Sequence, residues 1–576
     1  MKPLKTVLLT ILIASAMIVA TNCSSVKTSR QTAAEPSRPL ARPTPQQAAW
    51  QDMEIGAMIC IGLETWQDKE SDDEPSMENV KLFNPSNVDA DQWVEAAESM
   101  GAKYIVFVAK HVGGFCLWQT ESTEYSIKNS PYKNGQGDIL AELAESCRKR
   151  DMKLGVYIYP GSLYHGAAVS AGGKTADPAK QKEYNRIYRQ QLTEVLSRYG
   201  DMFEVWFDGS VTIPVKDILD KYAPNAMVFQ GPQATIRWVG NEQGYAPYPA
   251  WNAVNSDDPV VKAGQSTAQH SDPNGDKWLP NEVDTTIRDH FWFWSSHNQK
   301  DLKSLDKLMD IYYNSVGHGA VLLLNVNPDR SGLVPEADFR RYQEFGAEIK
   351  RRFGNSLAET QGSGKVIELT FDKPVTIDHI ITMEDITKGE RVREYVIEGL
   401  IDGNWRQIAE GTAIGHKKID RFEAIKVSKI RLRITKAAAT PLIRKLAVYN
   451  TAATPVVEAP KKQPAGYKTA WTWSPDSVTN QWTTVDIDLS PYIPEPRQYE
   501  LVFNNTEGEI EIESVVLVLE SIEIPGFAEL LDKPNTYNLN ITATPSMKKD
   551  SIILRAKIRS KSGSDSYGQV LIKPNR

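Results

Sequence analysis

The sequence predicts an α/β protein: a (β/α)8-like TIM barrel followed by two β-sandwich domains. Three observations carry this. From about residue 50 to 350, short apolar runs alternate with amphipathic stretches, as βα units do. Those runs are apolar throughout, which marks parallel strands buried on both faces. After about residue 354 the helical spacing stops, and short β-rich runs separated by turns take over. No Gly-rich phosphate loop follows any strand, so the repeated βα units favour a closed barrel over a doubly wound, nucleotide-binding sheet.

In chain order, Ala57–Ile61 reads as a strand and Ala90–Met100 as a helix with apolar positions at helical spacing. Tyr104–Ala109 is a strand, Ile139–Arg150 a helix, Leu154–Tyr159 a strand and Gln181–Tyr199 a long helix. Met202–Phe207 and the shorter Met227–Phe229 are strands, Ala320–Leu324 is a late apolar strand, and Glu336–Phe353 is a helix with a polar face. Residues 49–353 make the expected barrel. Residues 354–451 hold the runs Val366–Phe371, Ile377–Met383, Tyr395–Ile401, Lys429–Ile434 and Leu446–Tyr449, a first small β-sandwich. Residues 452–466, with three Pro and two Lys, read as a linker, and 467–576 as a second β-sandwich.

Residues 1–22 read as a secretory signal: Lys2 and Lys5 lead, and Val7–Ala20 is nearly all apolar but too short for an ordinary membrane span. Cys23 follows at once, then a Ser-, Thr-, Pro- and Ala-rich stretch, so residues 23–48 are expected to be a flexible tether. A Cys at the cut site resembles a bacterial lipoprotein signal, in which the thiol is lipidated. Ala20-Thr21-Asn22 departs from the small residue usual before that Cys, which leaves plain export as the alternative. The expected location is the periplasm, or the outer membrane as a lipoprotein, of a Gram-negative bacterium.

Composition narrows the partners. The 66 Lys and Arg against 73 Asp and Glu leave a formal net charge of −7, which gives no footprint for a nucleic-acid backbone. The 14 Trp suit a core or a sugar-facing surface, where their flat faces cover something. Cys60, Cys116 and Cys147 lie in apolar runs without a CxxC or Cys/His cluster, so free buried thiols are expected and zinc is not. His165, His270, His290, His297 and His318 also lack metal-ligand spacing.

Chemistry is expected where barrel strands end at their C-terminal side. Glu204-Val205-Trp206-Phe207-Asp208-Gly209 ends in a carboxylate that could serve as nucleophile over the central pocket. Alone this is weak, because an Asp after a strand is as often a helix cap. Lys110-His111-Val112-Gly113-Gly114-Phe115-Cys116-Leu117-Trp118 ends the second strand, Thr123–Asp138 follows it, and then comes Leu154-Gly155-Val156-Tyr157. Further on stand Arg237-Trp238-Val239-Gly240-Asn241-Glu242, Trp278-Leu279-Pro280-Asn281-Glu282-Val283-Asp284 and Leu322-Leu323-Leu324-Asn325. In this order and spacing the segments resemble the α-L-fucosidases of glycoside hydrolase family 29, over about residues 50 to 350. The Gly-Asn-Glu form resembles the branch that prefers α-1,3/1,4-linked fucose, and the first β domain resembles discoidin-like (F5/8 type C) modules.

The resemblance implies a retaining mechanism with two carboxylates and a fucosylated or related oligosaccharide as substrate. Asp208 aligns with the family nucleophile and Glu242 with the acid/base, Glu282 being the fallback acid. An acid needs apolar cover or a neighbouring negative charge to keep its proton, and Trp238 and Tyr245 flank Glu242. No metal or organic cofactor is implied, since two carboxylates suffice for acetal cleavage. His111, Trp118, Tyr157, Trp206, Trp238, Arg288, Trp292, Cys60 and Val112 are the expected substrate-side residues. Trp206 either lies against the sugar or fills the barrel; Tyr157 and Tyr159 point to one side, both in or both out; Arg288 either reaches the leaving group or makes a structural salt bridge.

Two departures from the family pattern bear on the substrate. The first strand carries Met58-Ile59-Cys60 where a His is usual, and His111-Val112-Gly113-Gly114-Phe115 replaces His-His-Asp-Gly-Phe. Losing two hydrogen-bonding groups would cost about 1–3 kcal/mol each, or about one to four decades of affinity for fucose in all. A related sugar such as α-L-galactose, and a glycan-binding protein without turnover, are therefore the rival readings.

Overall fold

The structure is a computed structural model that describes residues 39–452 and, within 467–574, all but a few short segments. Cys23, the signal and most of the tether lie outside the described residues. Two compact units divide near residue 454.

Eight parallel strands form the barrel: β1 Ile55–Ile59, β2 Tyr104–Lys110, β3 Lys153–Ile158, β4 Glu204–Trp206, β5 Met227–Phe229, β6 Arg237–Trp238, β7 Asn281–Thr285 and β8 Val321–Val326. They neighbour one another in chain order from β1 to β8, and β8 returns to β1. A parallel bridge between Phe229 and Ile236 joins β5 to the start of β6 and closes the ring. Around it lie α1 Pro45–Met53, α2 Ala90–Ser99, α3 Ile139–Lys149, α4 Gln181–Arg198, α5 Lys216–Tyr222, α6 Leu305–Asn314 and α7 Glu336–Phe353.

The first unit begins earlier than residue 49. Thr44 and Gln47 form a reciprocal capping box with Pro45 in the first turn. Gln47 is buried, its amide donating to the carbonyls of Thr235 (2.7 Å) and Trp278 (2.9 Å). α1 thus belongs to the barrel body, and the expected tether ends before it.

Strand alternation sorts side chains into two cores. Met58, Cys60, Tyr104, Val106, Val108, Tyr157, Tyr159, Trp206, Phe229, Val321 and Leu323 fill the interior. Ile55, Ala57, Ile59, Ile105, Phe107, Val205, Leu322 and Leu324 face the helices. Tyr104 reaches across because β1 carries Gly56: a Cβ there would sit 2.3 Å from the Tyr104 ring.

β2 breaks the alternation once. Its register against β3 shifts between Val108 and Lys110, a bulge that leaves one extra residue on β2. Lys110 therefore turns outward under α4, and His111 takes the inward place. Lys110 Nζ is fully buried, donates to Gln191 Oε1 (3.1 Å) and lies 4.7 Å from the centre of the Tyr188 ring. Burial pushes its pKa down to about 7. Unfolded, this lysine titrates near 10.4, so between about pH 7 and 10.4 the unfolded chain binds one more proton, and stability rises with pH across that window. Lys110→Met is expected to flatten this slope by up to about 1.4 kcal/mol per pH unit, read from urea midpoints at pH 7, 8, 9 and 10.

The first β domain is one antiparallel sheet of β9 Ala358–Ser363, β10 Val366–Glu384, β11 Val392–Ile401, β12 Asn404–Gly411, β13 Lys418–Ala437 and β14 Leu442–Tyr449, in the order β9-β14-β10-β13-β11-β12. Register shifts interrupt the two long strands, as between Thr370 and Val375, and bulges of this kind bend a strand. The sheet encloses its own core, which includes Ile377, Ile397, Leu432 and Val448. It is packed to the barrel through Asn252 on Glu390 (2.8 Å), His416 on Asp52 (2.8 Å), Tyr248 on the Ala413 carbonyl (2.7 Å) and Tyr313 with His379 (3.0 Å).

The second unit holds two antiparallel sheets. Five strands order as Lys468–Trp473, Tyr567–Pro574, Gln498–Glu507, Thr536–Asn540 and Ala528–Leu530. Four order as Thr483–Asp488, Ile552–Ser560, Ile510–Leu519 and Ile522–Ile524. Alternate residues Ile552, Leu554, Ala556 and Ile558 are buried with Leu501, Phe503 and Val570 in a sandwich core.

Candidate active site

A cavity of about 370 Å³ is lined by Met58, Cys60, Val108, His111, Tyr157, Ser170, Trp206, Asp208, Gly209, Phe229, Gln230, Trp238, Glu242, Asp284, Trp292 and Phe293. These residues come from the C-terminal ends of the barrel strands and the loops that follow them.

β4 and β7 build its floor in layers, because residues two apart on a strand share a face. On β4 and just beyond, Glu204, Trp206 and Asp208 climb toward the mouth; on β7, Glu282 and Asp284 do the same. In the lowest layer Glu204 accepts from the Trp50 indole of α1 (2.8 Å). Glu282 accepts from Tyr104 Oη (2.7 Å) and from the Trp206 indole (2.7 Å). Both carboxyls are 0 % exposed. Burial pushes both above the usual carboxylate range, and for Glu204 the neighbouring Glu282 charge adds to the effect. Glu282 thus lies under the cavity floor, and the fallback acid of the sequence reading is a support for Trp206.

Trp206 fills the barrel, with one face stacked on Phe229 (centroids 3.6 Å, 7°), and it also lines the cavity. Asp208 stands above it at the cavity wall. Tyr157 Oη donates to Asp208 Oδ2 (2.9 Å). Burial raises the Asp208 pKa, while Tyr157, the His111 charge and the Gly209 N–H pull it back. Tyr157 and Tyr159 both point inward. His111 Nδ1 pairs with Glu64 Oε1 (2.9 Å). Burial pulls the imidazole down, but Glu64, Asp208 and Glu70 outweigh it, and its pKa ends above the usual value.

The far wall is β6 and β7. Trp238 Nε1 donates to Asp284 Oδ1 (2.6 Å). Glu242 lines the mouth and is exposed. Beside it in sequence, Tyr245 donates its hydroxyl to Asp310 (2.7 Å) and accepts from Lys307 on α6, while Trp238 lines the cavity with Glu242. The buried carboxyl of this wall is Asp284, 4 % exposed. Trp292 and Phe293 complete the rim. Asn325 at the end of β8 holds their loop by donating to the carbonyls of Phe291 and Trp292 (both 3.1 Å), and Glu70 accepts from the Trp292 N–H (2.7 Å).

Three expected substrate residues lie elsewhere. Trp118 is fully buried and donates to Glu194 Oε2 of α4 (2.9 Å), so it fastens the loop after β2 to that helix. Arg288 is 1 % exposed. Its guanidinium is taken by Asp338 of α7 and by the carbonyls of Asn298 (3.0 Å) and Gln299 (2.7 Å), the structural salt bridge of the two readings. Val112 is in the interior core and does not line the cavity. Cys60 does line it, as a buried free thiol that burial pushes up. Cys116 and Cys147 are buried and free as well. Among the described residues no group of three or more His, Cys, Asp or Glu is placed to hold a metal ion. Sequence reading missed Asp284, Gln230 and Phe293. The signal for Asp284 was present, two positions beyond Glu282 on a strand's inward face.

Residues 46–352 match the family profile described as Alpha-L-fucosidase. Alpha-L-fucosidase 1 of Arabidopsis thaliana is 31 % identical over 458 residues, 71 % of this chain and 88 % of the plant protein. The crystal structure of a putative alpha-L-fucosidase from Bacteroides thetaiotaomicron is 32 % identical with a TM-score of 0.67, covering 71 % of this chain and 99 % of that one. A Ruminococcus gnavus GH29 fucosidase solved in complex with fucose is 28 % identical with a TM-score of 0.64, covering 73 % and 97 %. With a barrel closed in chain order, a carboxylate at the end of its fourth strand and these relatives over the same span, the chain belongs to the α-L-fucosidase family, glycoside hydrolase family 29.

Proposed function

We propose that this protein is an exo-acting, retaining glycoside hydrolase that releases terminal α-L-fucose from glycans, with α-1,3/1,4-linked fucose as the preferred substrate. One observation carries the reading: Asp208, at the end of β4, lines a sugar-sized cavity with Tyr157 donating to it and His111 close by. A carboxylate so placed attacks the anomeric carbon, and a carboxyl of the β6–β7 wall, which carries Glu242 and Asp284, manages the proton of the leaving oxygen. The apolar residues Met58, Cys60, Val108, Phe229 and Phe293 suit the face of a deoxy sugar. Incubation with an aryl α-L-fucoside and a panel of fucosylated oligosaccharides, followed by NMR, tests this. Free fucose appearing first as its α-anomer is the expected result; no turnover of any member overturns it.

We also infer that the protein is exported and lipidated on Cys23, as a periplasmic or outer-membrane lipoprotein, and that residues 354–451 are an F5/8 type C module. The support for lipidation is the basic start, the apolar run and the Cys that follows it. In cells fed labelled palmitate, the protein is expected to carry label that Cys23→Ala removes; equal label in both would overturn the assignment.

A further inference from the structure

A fucosyl unit brings hydroxyls as well as an apolar face, so a pocket for it needs polar groups free to meet them. Several donors of this cavity are already spent. Tyr157 gives its hydroxyl to Asp208 (2.9 Å) and Trp238 gives its indole N–H to Asp284 (2.6 Å). Met58, Cys60, Val108, Phe229 and Phe293 offer nothing of comparable strength. Gln230 is different. It follows β5 directly, lines the same cavity as Asp208 and Gly209, and is 8 % exposed.

The Gln230 amide is oriented by its neighbour strand. The N–H of Ser210, two residues beyond Asp208, donates to Gln230 Oε1 (3.1 Å). A backbone N–H faces the oxygen of a side-chain amide, so the NH2 takes the opposite side. Among the described residues that NH2 has no hydrogen-bond partner, yet it is not one of the fully enclosed polar atoms left without one. The space it opens on is the cavity. The backbone adds a second observation. Gln230 has φ 60° and Ser210 has φ 75°, next to Gly231 at 84° and Gly209 at 71°. Glycine takes this left-handed region freely, whereas a residue with a Cβ is disfavoured there. Strained positions of this kind cluster at ligand sites, where the surrounding structure holds them.

We infer that Gln230 is a sugar-binding residue, its NH2 donating to a ring hydroxyl of the fucosyl unit whose anomeric carbon Asp208 attacks. The identity of the sugar rests on the hydrolase reading. No bond is made or broken at Gln230. It holds the ring against the ends of β4 and β5, which the Ser210 hydrogen bond already ties together.

The test separates this role from that of a mere acceptor for Ser210. L-fucose and its 2-deoxy, 3-deoxy and 4-deoxy forms are titrated by calorimetry into the full chain and into Gln230→Met, which keeps the length of the side chain without its NH2. The variant is expected to bind L-fucose about three- to tenfold more weakly, the scale of one neutral hydrogen bond. That ratio falls to about one with at least one deoxy sugar, the one lacking the hydroxyl that Gln230 holds. Loss of the Ser210 contact alone would weaken all four sugars equally, so a ratio that is the same for all four overturns the proposal, as does a wild type that binds none of them. If Gln230→Met does not fold, Gln230→Gly, which suits this φ, is read in the same way. The wild type is also given 2-chloro-4-nitrophenyl α-L-fucoside. Binding without turnover sinks the hydrolase reading while the four ratios still decide Gln230; turnover with a uniform ratio sinks only the assignment to Gln230.

Discussion

Asp208→Gly is expected to lower turnover of an aryl α-L-fucoside by about 10⁴-fold or more, the scale on which enzymes lose rate when a covalent nucleophile is removed. The cavity, Tyr157, His111 and the Trp206 floor stay in place, because none of them is held by Asp208 alone: Trp206 is fixed by Glu282 and Phe229, and His111 by Glu64. Binding should therefore survive where chemistry does not. Added azide fills the space of the missing carboxylate and attacks C1 directly, giving fucosyl azide of inverted configuration. A variant that keeps full rate, or azide that produces no such adduct, would remove Asp208 from the mechanism. The pH profile provides a second reading. In the proposed role Asp208 acts ionised, and burial raises its pKa in spite of Tyr157, His111 and the Gly209 N–H. Wild-type activity should thus fall with acidification through a pKa above that of an ordinary aspartate. Tyr157→Phe, by removing one stabilising donor, should move that limb further upward.

Arg288→Met is expected to cost about 3–5 kcal/mol of stability, because it leaves the Asp338 carboxyl buried with its charge partner gone. All of the guanidinium's reach is used: Nε and Nη2 face Asp338, and Nη1 donates to the Asn298 and Gln299 carbonyls. Arg288→Lys should not rescue it, since an ammonium lacks the planar fork that serves both. The double variant Arg288→Met/Asp338→Leu should recover much of the loss, because an apolar pair leaves no charge stranded. The urea midpoint of the first unit, followed by tryptophan fluorescence, measures this, and a loss below about 1 kcal/mol, the scale of an exposed pair, would show that the buried pair is not what holds the site. The same anchor closes the loop that presents Trp292 and Phe293 to the cavity, so any Arg288→Met protein that folds should show a raised KM more than a lowered kcat.

Much of the barrel was legible because its signals are local. The polar-faced helix read at Glu336–Phe353 spans those same residues in the structure, and the long helix read at Gln181–Tyr199 differs by one. Strands buried on both faces announced themselves as continuous apolar runs. The strands that went unread, β6 and β7, are two and five residues long and carry Arg, Asn, Glu and Asp, so no apolar run marks them. The first turn of α1, residues 45–48, was read as tether although Thr44, Pro45 and Gln47 spell a helix start, because it lies within a Pro- and Ala-rich stretch.

What the sequence by itself determined is the α/β barrel with β domains after it, the family and the carboxylate at the end of β4. These follow from periodicity and from motifs read in order, neither of which needs distant partners. Only the tertiary structure decided which carboxyls line the cavity. Glu282 is sealed below the floor by Tyr104, 178 residues away in sequence, and Trp206, 76 away, while Asp284 two positions on meets the cavity. It likewise turned Lys110 out and His111 in through a single bulge, and sent Trp118 and Arg288 into helix contacts. Depth within a closed ring and the charge beside a group depend on neighbours far apart in the chain, and those are set only when the strands close.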